Sequence, residues 1–212
     1  MNFSFLPKYY KFFLSGTGYT LLLSALTVVF GLIGGLALAL MKTSKNKVMK
    51  AIAVSYIEFI RGTPLLIQLY IVYYGIKDIP MLAAGVVAMS LNSSAYIAEI
   101  IRAGIGAVDK GQFEAAKSLG MPTFLTYKEI IIPQALKNIL PALGNEFIIL
   151  IKESAIVSVI GIHDLMYNTD VVRGNTFIAF EPLIVAALIY FALTFTLSKL
   201  LGKVERRMTV SD

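Results

Sequence analysis

The order of apolar and polar residues divides the chain into five long hydrophobic stretches joined by short charged ones. These are Tyr19 to Met41, Ala51 to Ile76, Pro80 to Ala103, Ile139 to Gly161 and Pro182 to Gly202. Each is long enough to cross a hydrocarbon core of roughly 30 Å as a helix. Lipid offers a backbone no hydrogen-bond partners, so spans of this kind are expected to satisfy themselves as helices. The pattern predicts an all-α, polytopic membrane protein with five transmembrane helices in one domain covering residues 1–212.

Composition agrees with a lipid bilayer as solvent. Hydrophobic residues make up 57% of the 212 residues and charged ones 15%, against roughly 25% charged in an ordinary soluble domain. The mean hydropathy is +0.75. A net charge of +6 would suggest a nucleic-acid partner in a soluble chain, but its placement excludes that reading. Thirteen basic residues sit on one side of the spans: Lys42, Lys45, Lys47 and Lys50, then Arg102, Lys110, Lys117, Lys128 and Lys137, then Lys199, Lys203, Arg206 and Arg207. Only four, Lys8, Lys11, Lys77 and Arg173, sit on the other. The positive-inside rule then places the N-terminus outside the plasma membrane and the C-terminus in the cytoplasm.

The N-terminal MNFSFLPKYYKFFLSG lacks a small-residue cleavage site, and its Phe, Tyr and Lys suit a helix lying in the headgroup layer, with a frayed terminus the equal alternative. With no cysteine, disulfides, thiolate metal sites and thiol nucleophiles are excluded, and a lone His163 cannot build a histidine cluster. GTGYT at Gly16 and GLIGG at Gly31 lack the Lys-Ser/Thr ending of a phosphate loop. The expectation is a protein that is not an enzyme, with no cofactor of its own.

The spans differ in their polar content. Gly31 and Gly35, four apart with Gly34 beside them, form a small face on the first for close helix approach. In the second, Glu58 and Arg61 precede Gly62, Thr63 and Pro64, and the proline predicts a kink that frees a carbonyl. Glu58 and Arg61 are also placed to neutralise each other on one face. The third carries Asn92, Ser93, Tyr96 and Glu99, with Asn92, Tyr96 and Glu99 on a common face, and Glu99 in reach of Arg102. The fourth carries Glu146, Lys152 and Glu153, charges expected to line an interior path because lipid would leave them unpaired. Asp164 follows near the outer mouth, as a site residue or as a helix cap, and a polar segment runs from Tyr167 to Glu181. The fifth span is apolar scaffold.

Between the third and fourth spans lies a polar island, Asp109 to Pro133. Asp109 with Gln112 predicts a capped first helix, Gly120 a left-handed stop and Pro122 a restart, while Pro133 marks the turn back into apolar sequence. Glu114, Ala115 and Ala116, followed by Gly120, Ile130 and Pro133, match the EAA signature in full and resemble the coupling loop of ATP-binding-cassette importer permeases. FIRGTPLLIQL, AYIAEIIRAGI and KESAIVSVIGIHDL resemble the polar amino acid branch of that family.

The resemblance implies a type I ABC importer permease fold, and partners: cytoplasmic ATPase subunits that carry the ATP and Mg, a second permease, identical or related, and an extracytoplasmic binding protein. Glu114, Ala115, Ala116 and Gly120 would then couple to the ATPase. Four carboxylates in the spans exceed Arg61 and Lys152, which favours a cationic amino acid as cargo, with glutamine the alternative. Glu58, Asn92, Ser93, Tyr96, Glu153 and Asp164 are the expected substrate residues. A carrier working alone could use the same charges as an ion relay, but it would have no need of the coupling motif.

Overall fold

A computed structural model describes residues 1–209, with side chains through Arg206. The side chain of Arg207, counted among the cytoplasmic charges, and residues 210–212 of the expected domain lie outside the described residues. Helices account for the fold: α1 (Leu6–Thr43), α2 (Lys47–Gly62), α3 (Leu65–Gly75), α4 (Met81–Gly106), α5 (Lys110–Ser118), α6 (Thr123–Thr126), α7 (Ile132–Glu153), α8 (Leu165–Thr176) and α9 (Glu181–Thr209). A π-helical turn, Tyr127–Ile131, leads into α7, and a 3-10 turn, Ser154–Ile160, extends it.

Three helices, α1, α4 and α9, are long and apolar enough to span a membrane, and α2 and α3, bent by 108° at their junction, make a fourth when the pair is taken as one broken span. The fifth expected span is α7 with its 3-10 extension; the charges of Glu146, Lys152 and Glu153 lower its apolar content. Each hydrophobic stretch is mostly helical, and α1 and α7 begin well before Tyr19 and Ile139.

The N-terminal segment is not a separate headgroup helix. It is the first part of α1, whose 38 residues run about 57 Å at 1.5 Å per residue. Pro7 sits in the first turn, where its missing N–H costs nothing, so no residue interrupts the helix before the span. Phe5, Tyr9 and Phe13, spaced four apart, bury one stripe against Leu165 and Val172 of α8 and Ala186 of α9.

The expected glycine face is the seam between α1 and α4. A Cβ on Gly31 would lie 3.2 Å from Ser93 Oγ, one on Gly34 3.0 Å from Ser94 Cβ, and one on Gly35 2.5 Å from Ile97 Cγ2. At one end of this seam Glu99 bonds both Lys42 of α1 and, at 2.9 Å, Arg102 Nε. At the other end Gly16 lets the backbone of Asp164 and Leu165 approach α1, where Thr20 Oγ1 accepts from Leu165 N at 3.2 Å.

The segment from Tyr167 to Glu181 is mostly helix. Asp164 caps α8, and Arg173 pairs with Asp170 one turn earlier at 2.5 Å, which offsets the weak helix propensity of Asn168, Thr169 and Gly174.

Candidate functional site

The bend between α2 and α3 starts from Pro64. It has no N–H to give the carbonyl of Ile60 four residues back, and the chain turns through Thr63 and Pro64 in extended conformation. Inside a bilayer a carbonyl left without a donor costs several kcal/mol. Gln68 supplies the donor: its Nε2 reaches Ile60 O at 2.8 Å, Thr63 O at 3.1 Å and Thr63 Oγ1 at 2.9 Å. Its Oε1 accepts from Asn92 Nδ2 at 2.9 Å, which ties the corner to α4. Sequence reasoning missed Gln68. The available signal was an amide four residues after a proline inside an apolar span.

The next residue on α4, Ser93, is fully buried and donates from Oγ to Glu146 Oε1 of α7 at 3.2 Å. Asn92 and Ser93 are therefore turned inward, each engaged with a neighbouring helix. Tyr96, one turn further, is part-exposed, and the Arg61 guanidinium lies over its ring, 5.5 Å from the centroid. Glu58 lies one turn before Arg61 on α2 and is exposed, but the two do not pair; among the described residues neither has an ion-pair partner. Glu153 closes α7, exposed beside Lys152. Of the expected site residues, Glu58 and Tyr96 thus flank one charged corner, while Glu153 lies at the end of another helix.

Asp164 is elsewhere and fully buried. Its Oδ1 accepts from Tyr167 N at 2.9 Å, so of the two readings the cap is the one its geometry fulfils. Its Oδ2 has no hydrogen-bond partner among the described residues, and burial pushes the carboxyl up to about 6. A folded-state pKa above the unfolded value of about 4 means that ionisation opposes folding: the penalty is absent below the unfolded pKa and complete above the folded one. Asp164→Asn keeps the capping oxygen and removes the charge. Thermal unfolding in detergent should show a higher midpoint for the variant at about pH 8 and little difference at about pH 4. An equal shift at both values would remove the charge from the explanation.

The polar island forms two short helices with the expected corner at Gly120 between them. Asp109 Oδ1 accepts from Gly111 N at 2.6 Å and caps α5, while the Gln112 side chain accepts from Gln134 Nε2 at 3.5 Å instead of closing a capping box. Gly120 takes φ +71°, with its N–H on Lys117 O and that of Met121 on Ala116 O, the paired bonds of a Schellman stop. Ala116 is buried, Glu114 and Ala115 face out, and Leu119 and Phe124 beside the corner are 80% and 78% exposed. Pro133, however, marks no turn. It enters the first turn of α7, and the preceding π turn, in which Ile132 N reaches back to Tyr127 O, carries the helix across the proline's missing donor.

Residues 28–210 match the family model described as binding-protein-dependent transport system inner membrane component. The chain is 47% identical to a putative glutamine transport system permease protein of Rickettsia conorii, over 99% of this chain and 100% of the relative. It is 45% identical to the arginine transport system permease protein of Bacillus subtilis, over 100% and 99%. Among solved structures, an amino acid ABC transporter crystallised with histidines superposes with a TM-score of 0.93 at 55% identity, covering 98% of this chain and 100% of that one. A match over the whole chain shows the family, and the protein belongs to the binding-protein-dependent transport system inner membrane components, the permeases of ABC importers.

Proposed function

We propose that this permease carries basic amino acids such as arginine, lysine or histidine into the cytoplasm, paired with a second permease and driven by separate ATPase subunits. The ATP and Mg belong to those subunits, and an extracytoplasmic protein delivers the substrate to the side of the N-terminus. The single observation that carries the basic specificity is that Glu58 and Glu153 are exposed on membrane helices with no ion-pair partner among the described residues. Such charges are costly against lipid, and a cationic side chain passing between two permeases would compensate them. The carboxylate that every amino acid carries has a counterpart in Arg61, held over Tyr96. Asn92 and Ser93, being buried, brace the helix that carries Tyr96.

Glutamine is the second reading, favoured by the name of the Rickettsia relative. Binding of labelled arginine and glutamine to the purified permease–ATPase complex separates the two. Arginine should bind more tightly, and Glu58→Gln or Glu153→Gln should weaken it roughly ten- to a hundredfold, the value of a hydrogen bond to a charged group. Arg61→Ala should lower arginine affinity to the level of agmatine, which lacks the carboxylate. Preference for glutamine, or arginine binding indifferent to both carboxylate substitutions, would overturn the basic specificity.

A further inference from the structure

Arg61 follows the residue whose carbonyl Gln68 holds, and Tyr96 lies one turn along α4 from Asn92, the residue that holds Gln68. The guanidinium and the ring are therefore attached to the two ends of one buried amide bridge. Gln68 and Asn92 are 6% and 7% exposed, so water does not substitute for either partner. The bridge is also fully committed. Two amide hydrogens on Nε2 serve Ile60 O, Thr63 O and Thr63 Oγ1, which requires one to be shared, and Oε1 takes the hydrogen of Asn92. Thr63 Oγ1 in turn donates to Phe59 O at 2.9 Å, closing the last turn of α2 from inside.

From this arrangement we infer that Gln68 is a positioning residue for substrate recognition: it replaces the amide hydrogen that Pro64 lacks and so fixes Arg61 against Tyr96 at the height where the substrate carboxylate is met. The bridge acts on the backbone that carries Arg61 and touches no substrate. A residue that only stabilised the fold would leave affinity unchanged in whatever complex assembled. Gln68 instead should set affinity through Arg61 and through no other group. This inference rests on the role given to Arg61 above.

The test is a double-mutant cycle on the purified permease–ATPase complex, reading the dissociation constant of labelled arginine or glutamine, whichever binds, together with substrate-free ATPase rate and yield. Gln68→Leu removes the whole bridge. Gln68→Glu keeps the length and the acceptor for Asn92 but loses the donors to Ile60 and Thr63. Both should weaken binding about tenfold or more, a change of about 1.4 kcal/mol, with yield and substrate-free ATPase rate reporting that the complex assembles. In an Arg61→Ala background neither should weaken binding further. Unchanged affinity in the Gln68 variants, or effects that add fully to that of Arg61→Ala, would overturn the inference, and so would failure of both variants to assemble, which makes Gln68 a folding residue. An Arg61→Ala variant with undiminished affinity overturns instead the role given to Arg61.

Discussion

Gly35→Leu should abolish recovery of an assembled permease. At this position α1 and α4 approach so closely that even a Cβ would stand 2.5 Å from Ile97 Cγ2 and 3.1 Å from the Ser94 carbonyl. A leucine adds three further carbons to a space with none to spare, and overpacking by a methylene or so already costs about 1–3 kcal/mol. The backbone carbonyl cannot swing aside as a flexible side-chain end can. Separating the helices would also stretch the Lys42–Glu99 ion pair, which joins α1 to α4 along the same seam. Gly18→Leu is the control, since a Cβ there meets nothing within 4 Å although Gly18 lies on the same helix. Size-exclusion of both variants in mild detergent reads the outcome. A monodisperse Gly35→Leu complex with the thermal midpoint of the parent would show that the seam is not close-packed.

That seam is also where the sequence was easiest to read. Three glycines within five residues of an apolar span have one physical use, close helix approach, and only the partner, α4, had to be supplied by the structure. Pro64 was equally legible as a break, because a missing N–H has a local consequence. The 108° size of the bend was not, since it depends on an amide at Gln68 and its anchor at Asn92, which lies on another helix. Asn92 and Ser93 show the limit from the other side. Polar residues in an apolar span must face protein or water, and that much holds. Whether they meet a substrate or a neighbouring helix is decided by packing alone, and here both meet helices. Asp164 was ambiguous for a similar reason, because a cap and a site residue have the same composition. The N-terminal aromatics were misplaced because their burial stripe is completed by α8 and α9, more than 150 residues away. Pro133 misled because a π turn, which no local signal announces, carries the helix across it.

The corner at Gly120 carries the second large effect. Its φ of +71° lies in the left-handed region, which costs a residue with a side chain about 1–2 kcal/mol and a β-branched one more. A Cβ there would meet nothing within 4 Å, so a substitution acts through backbone strain and not through a clash. Strain at this point is relieved by undoing the Schellman bonds to Lys117 and Ala116, which reorients α5 and the exposed Leu119 and Phe124, the surface that would meet the ATPase if the loop couples to it. Gly120→Val is therefore expected to insert and fold but to lose substrate-stimulated ATP hydrolysis and transport by tenfold or more, whereas Gly120→Asn, a residue that tolerates the left-handed region, should keep most of both. A cysteine at Leu119 in this cysteine-free chain tests the docking directly. It should react with an impermeant maleimide from the cytoplasmic side only, and be protected when the ATPase subunits are bound. Labelling from outside would reverse the orientation drawn from the basic residues; labelling indifferent to the ATPase, or full stimulation in Gly120→Val, would remove this corner from the coupling path.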